Sequence, residues 1–284
     1  MKKVIRFLKG VLLVIISALI ILISILLIIP ITQKALIGVT GFGLTLYGFN
    51  ETGLRVSSLM LNEKYNLTGK VYRSLSVQHT KNGNYGFAIN ALEKAVSMDE
   101  TCKDYYGWVL LYYYRDYERA YQVLQEYDEL TPEFSDFAVG ENVNYLKGLA
   151  LLKMDRFEEA ITEFDKYIEN EIKAAGEDWV DVYAFVNKGI ALARLGQHDL
   201  AIEEYNRAIE NYENCTEAYY YKSISLLEEN RLEAALAFAE YSSELIGKGF
   251  KHEENYIELF HEIYPSQTSK LIRKIDERLK EKFL

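Results

Sequence analysis

A short signature recurs five times in this chain and limits its fold more than any other feature. An apolar residue stands shortly before an alanine that opens a helix, usually with a leucine or aromatic four residues on. It reads Phe87-Ala88 with Leu92, Tyr117 to Ala120 with Leu124, and Phe157 to Ala160 with Phe164. It returns as Leu200-Ala201 with Tyr205, and as Leu232 to Ala235 with Ala239. The alanines lie 32, 40, 41 and 34 residues apart. A period near 34 residues predicts stacked helix pairs, because one pair cannot bury both of its apolar stripes alone.

The N-terminus carries a different signal. Val11 to Ile29 is uncharged and apolar apart from Ser17 and Ser24. Its length at about 1.5 Å per residue comes to about 28 Å, close to a bilayer core. Lys2, Lys3, Arg6 and Lys9 precede it and only Lys34 follows closely. That asymmetry predicts a cytoplasmic N-terminus and an extracytoplasmic remainder. A cleaved signal peptide is the competing reading, but Pro-Ile-Thr-Gln-Lys after Ile29 offers no small-x-small cleavage site. The stretch 35–50 is also uncharged. With four glycines it reads as a segment lying at the interface, although a second span there would return the repeats to the cytoplasm.

Charge excludes one class of partner. All 42 acidic residues lie beyond the span, against 28 of the 32 lysines and arginines, so that part carries 28 − 42 = −14. Nucleic acid is therefore disfavoured as a ligand. Cys102 and Cys215 fall three repeats apart, too far for a disulfide within a stack. The triplets at Asn50, Asn66 and Asn214 matter only in a glycosylating pathway.

Residue by residue, the signature resembles the tetratricopeptide repeat. Asp116-Tyr117-Glu118-Arg119-Ala120 and Arg156-Phe157-Glu158-Glu159-Ala160 look like that family's turn into its second helix. Twelve residues before the alanine, the family has a small residue where the helices cross. Ser76, Gly148, Gly189 and Ser223 match; Trp108 departs, with Gly107 beside it to give clearance. Gly83 and Gly196 match the turn between helices, and Pro132 the terminal proline. The resemblance covers residues 69–246 and implies an all-α, right-handed α-solenoid of about five helix pairs. The longer spacings read as insertions around Glu133 to Gly140 and Ile172 to Asp178. Around the solenoid we expect a basic tail at 1–10, one transmembrane helix at 11–31 and a linker at 32–68. C-terminal capping helices are expected over 247–284, at Glu253 to Tyr264 and Ser266 to Phe283.

The family's first helices line a concave face. Carried onto this chain, that face holds Arg73, Tyr105, Tyr106, Val109, Tyr112, Tyr145 and Leu149, then Tyr183, Asn187, Ile190, Tyr220, Tyr221 and Ile224. The paired Lys and Asn with which chaperone-binding members clamp a C-terminal carboxylate are missing: Arg73 with Val77, and Tyr105 with Val109, stand there instead. A tyrosine-rich trough with about half its rings exposed suits an apolar or aromatic segment of a partner protein. No catalytic motif, phosphate loop or metal-ligand set emerges, and no cofactor is expected. Glu258-x-x-His261 has ligand spacing but no matching pair. The sequence thus predicts a membrane-anchored scaffold assisting secretion or envelope assembly. A cytosol-facing adaptor, and a ligand sensor or unrecognised enzyme, are the alternatives.

Overall fold

The computed structural model describes residues 68–132, 134 and 136–282. The expected span at 11–31 and the stretch 35–50 lie outside the described residues. Among the described residues, no helix is long and apolar enough to cross a membrane. The chain divides after Cys102 into two units.

The first unit contains one helix pair, α1 (Gly69–Lys81) and α2 (Tyr85–Met98), and a short 3-10 turn at Glu100–Cys102. Ala88, Ala91, Leu92 and Ala95 form the buried stripe of α2, at the helical spacing that the signature predicts. Tyr72 and Leu75 of α1 pack with Ala95 and Cys102. At the start of α1, a Cβ on Gly69 would fall 2.7 Å from both Ala95 O and Asp99 Cβ, so the close approach requires glycine.

The second unit contains four helix pairs and a final helix. The pairs are α3 (Lys103–Val109) with α4 (Tyr117–Asp128), α5 (Val143–Lys153) with α6 (Phe157–Ala174), α7 (Val182–Arg194) with α8 (His198–Asn211), and α9 (Thr216–Glu228) with α10 (Leu232–Gly247). From α5 to α9, each first helix packs on its own second helix and on the second helix of the pair before. The last helix, α11 (Pro265–Lys282), places Leu271 and Ile275 against the Leu227, Leu232, Ala235 and Ala239 cluster of the last pair. Within the insertion after α4, a two-stranded hairpin forms from β1 (Phe137–Ala138) and β2 (Glu141–Asn142). The second insertion is largely absorbed by the length of α6 and a 3-10 turn at Glu177–Trp179.

Each of the five turns inside a pair contains one residue in the left-handed region: Gly83, Arg115, Asp155, Gly196 and Asn230. Every one sits five residues before a signature alanine (88, 120, 160, 201 and 235). In four of them the next residue's N–H reaches back five residues to a carbonyl, as in Arg156 to Leu151 and Gln197 to Leu192. This wrap closes the first helix and turns the chain into the second.

The α3/α4 pair differs by one residue throughout. Its close-approach residue is Gly107, thirteen before Ala120 instead of twelve. A Cβ there would meet Leu124 Cγ at 2.6 Å, as one on Gly148 would meet the Phe164 ring at 2.6 Å and one on Gly189 the Tyr205 ring at 2.4 Å. The extra residue is taken up by a π-helical turn at Leu110–Tyr114. The closing bond from Asp116 accordingly spans six residues, to Leu110 O. Trp108 is thereby turned away from the crossing and becomes available elsewhere.

Candidate partner-binding trough

The first helices of the second unit carry tyrosine because their exposed side has no second helix to cover it. What covers it is the chain itself. The expectation of a helix over Glu253 to Tyr264 is corrected here: after Gly249 (φ 88°) the chain runs irregularly to Pro265. Its side chains lie across the tyrosines. The Phe260 ring stacks on Tyr112 with centroids 5.5 Å apart and meets Tyr117 edge-on at 5.8 Å. Lys153 Nζ stands 5.1 Å from the centre of the same ring. The His252 and His261 rings stack on Tyr183 at 3.9 and 4.4 Å.

Polar contacts fix the segment's register. Asn187 Nδ2 lies 3.2 Å from Tyr145 Oη, 2.7 Å from Tyr183 O and 3.1 Å from His261 Nδ1. With Asn187 as donor, His261 Nδ1 is the acceptor, so Nε2 carries the proton and donates to His252 Nδ1 at 2.9 Å. This tautomer is assigned from the network. Burial, and the neighbouring His252, lower the His261 pKa to about 3, and burial lowers that of His252. At the ends, His252 N donates to Glu217 Oε1 at 2.8 Å and Tyr221 Oη to His261 O at 3.3 Å. Arg115 pairs with Glu258 at 2.7 Å on the surface. Among the described residues, no group of His, Cys, Asp and Glu is arranged to hold a metal ion.

The expected trough residues therefore divide. Tyr112, Tyr145, Tyr183, Asn187 and Tyr221 come together beneath the segment. Tyr105, Tyr106, Val109 and Leu149 are buried, with the Tyr106 ring facing Arg119 at 5.2 Å. Ile190, Tyr220 and Ile224 are half-buried, the last two lining a cavity of about 590 Å³ with Lys270, Leu271 and Lys274 of α11. Arg73 is half-buried on α1 of the first unit. An open trough with half its rings exposed is thus corrected to a trough that is occupied. Sequence reasoning missed Phe260 and His252 as its occupants, because nothing in a run of polar and aromatic residues announces an intramolecular ligand.

A tetratricopeptide-repeat family model matches residues 141–214, from β2 to just past α8. Among solved structures, the chain is similar to MamA (41-end) from Desulfovibrio magneticus RS-1, with a TM-score of 0.53 and 20% identity over 63% of this chain and 96% of that one. It is also similar to a tetratricopeptide repeat protein from Parabacteroides merdae ATCC 43184, with a TM-score of 0.52 and 12% identity over 86% of this chain and 84% of that one. The fold is that of a tetratricopeptide-repeat solenoid. No curated protein matches the chain at a significant level. At these identities the likeness concerns the fold, and repeat folds carry unrelated partners.

Proposed function

We propose that this chain is a protein-interaction scaffold whose tyrosine trough receives an apolar or aromatic segment of a partner protein. Residues 250–264 act as the resident occupant that the partner displaces. One observation carries this reading: the trough holds an irregular segment through an aromatic anchor, stacked rings and hydrogen bonds to its backbone. It is a reading as a binding protein, not an enzyme. The test uses a variant in which residues 250–264 are replaced by a Gly/Ser linker. A synthetic peptide of that sequence should bind it saturably, and Tyr183→Ala should weaken binding by about 1–2 kcal/mol. Absence of saturable binding sinks the reading.

We also propose that residues 11–31 anchor the scaffold in a membrane, with the repeats on the extracytoplasmic side, where it would assist secretion or envelope assembly. The support is the uncharged run and the basic residues before it. A reporter active only in the cytoplasm, fused after Leu284, should stay silent; activity there would instead favour the adaptor reading.

A further inference from the structure

Beside the occupied trough lies a second, smaller cavity of about 390 Å³, within the range of small-molecule sites. Its walls are aromatic: Trp108, Tyr112 and Tyr145 from the first helices and Tyr256 from the C-terminal segment. Its polar groups are acidic. The β-hairpin brings Glu141 over the helices, where Oε1 accepts from Trp108 Nε1 at 2.6 Å and Oε2 from Tyr112 Oη at 2.8 Å. Asp181, the N-cap of α7, stands at the same cavity with Oδ1 bound to Tyr183 N at 2.9 Å, and Glu254 is a third carboxylate there. No lysine or arginine lines it, and among the described residues neither Glu141 nor Asp181 forms an ion pair. The other basic group, His252, is held neutral by its burial and faces Asp181.

This arrangement is unfavourable as it stands. Loss of hydration raises the Glu141 carboxyl pKa, and the charges on Asp181 and Glu254 raise it further, against the lowering effect of its two hydrogen bonds. Such a cavity lacks one component, a positive charge with an apolar body. Its carboxylates would neutralise the charge and its ring faces would attract the cation through their quadrupoles.

We propose that this cavity is a binding site for a small organic cation of the ammonium class. The site is distinct from peptide binding in the trough, although residues 252–259 form one of its walls. Bound cation therefore favours the docked state of the segment.

The probes are choline, its neutral isostere 3,3-dimethyl-1-butanol, and Nα-acetyl-lysine amide as a mimic of a protein-borne lysine. They are titrated into the full chain carrying Trp179→Phe, so that Trp108 is the remaining tryptophan and reports by fluorescence. One of the two cations should bind saturably, and at least about tenfold tighter than the isostere. The tighter of the two distinguishes a free methylated ammonium from a lysine side chain. Glu141→Gln keeps an acceptor for Trp108 and should weaken the cation about tenfold or more with an unchanged melting temperature. The proposal is overturned if neither cation saturates, if the isostere binds equally well, or if a folded Glu141→Gln variant retains full affinity. Each of those results leaves the peptide test untouched.

Discussion

Between the helix pairs of the second unit, buried glutamates meet lysines; at the cavity beside the trough, Glu141 and Asp181 meet none. Lys147, the residue before Gly148, reaches Asp128 of α4 at 2.7 Å and Glu163 of α6 at 3.1 Å. One repeat on, Lys188 precedes Gly189 and reaches Asp165 of α6 and Glu204 of α8, both at 2.7 Å. In both copies the carboxylate on the following helix is sixteen residues beyond the lysine (163 − 147 and 204 − 188). Burial works against both lysine charges, but the paired carboxylates outweigh it and hold both pKa values above the ordinary one. At the trough, Glu141 and Glu217 are shifted upward by lost hydration, with only neutral donors in contact. The seam is a closed electrostatic system and needs nothing further. The trough side is open, and that difference separates a structural charge cluster from a site.

The largest effect should come from opening the seam. Lys147→Ala takes the buried cation from Asp128 and from Glu163, which is 6% exposed and keeps only the half-exposed Lys166 at 2.7 Å. The loss should be about 2–3 kcal/mol by urea denaturation, below the cost of a fully stranded buried charge because Lys166 still faces Glu163. The third copy serves as the control. Lys222 precedes Ser223, but sixteen residues on stands Phe238, and Lys222 Nζ lies 3.9 Å from the centre of its ring. Among the described residues no carboxylate pairs with that lysine, so Lys222→Met should cost under about 1 kcal/mol. Equal losses in the two variants would mean that the repeated carboxylate contributes nothing to the seam.

The seam and its helices were legible in the sequence because they follow from spacing. The alanine register, the small residues at the crossings and the turns at Gly83 and Gly196 all mark themselves. The other three turns did not, because Arg115, Asp155 and Asn230 adopt the left-handed conformation without glycine's signature. Trp108 read as a misfit, and only the π-helical turn explains how Gly107 replaces it at the crossing while the indole is freed for Glu141. The C-terminal segment was misread for a reason of energetics. Glu253 to Tyr264 has no internal breaker and looks helical locally. A helix, however, would present Phe260 and His261 on adjacent sides, and the irregular path seats Phe260 against Tyr112 and His261 against Tyr183. Tertiary burial overrides weak propensity there. The site's carboxylates were illegible for a related reason: Glu141 and Asp181 are ordinary surface residues until a hairpin and a helix cap bring them to one cavity.

The trough side should also reveal itself by pH, where the seam does not. An unfolded histidine titrates near 6.5. Folded His261 is held at about 3, and His252 is lowered as well. Below about pH 6.5 the unfolded chain binds protons that the folded chain refuses. The stability from these neutral rings is therefore complete above that pH and is lost as pH falls toward the folded value. His261 alone should cost about 2 kcal/mol on going from pH 7 to pH 5. The carboxyls of Glu141 and Glu217 act in the opposite sense. Their folded pKa values are raised, so acidification returns stability as pH falls through them. Comparing the urea midpoint at the two pH values in the parent and in His261→Gln removes those shared contributions. The parent should lose more stability than the variant, and the excess should appear as faster proteolysis within residues 250–264. If both proteins lose the same amount, His261 is not held neutral beneath Tyr183, and the segment's docking does not depend on its charge state.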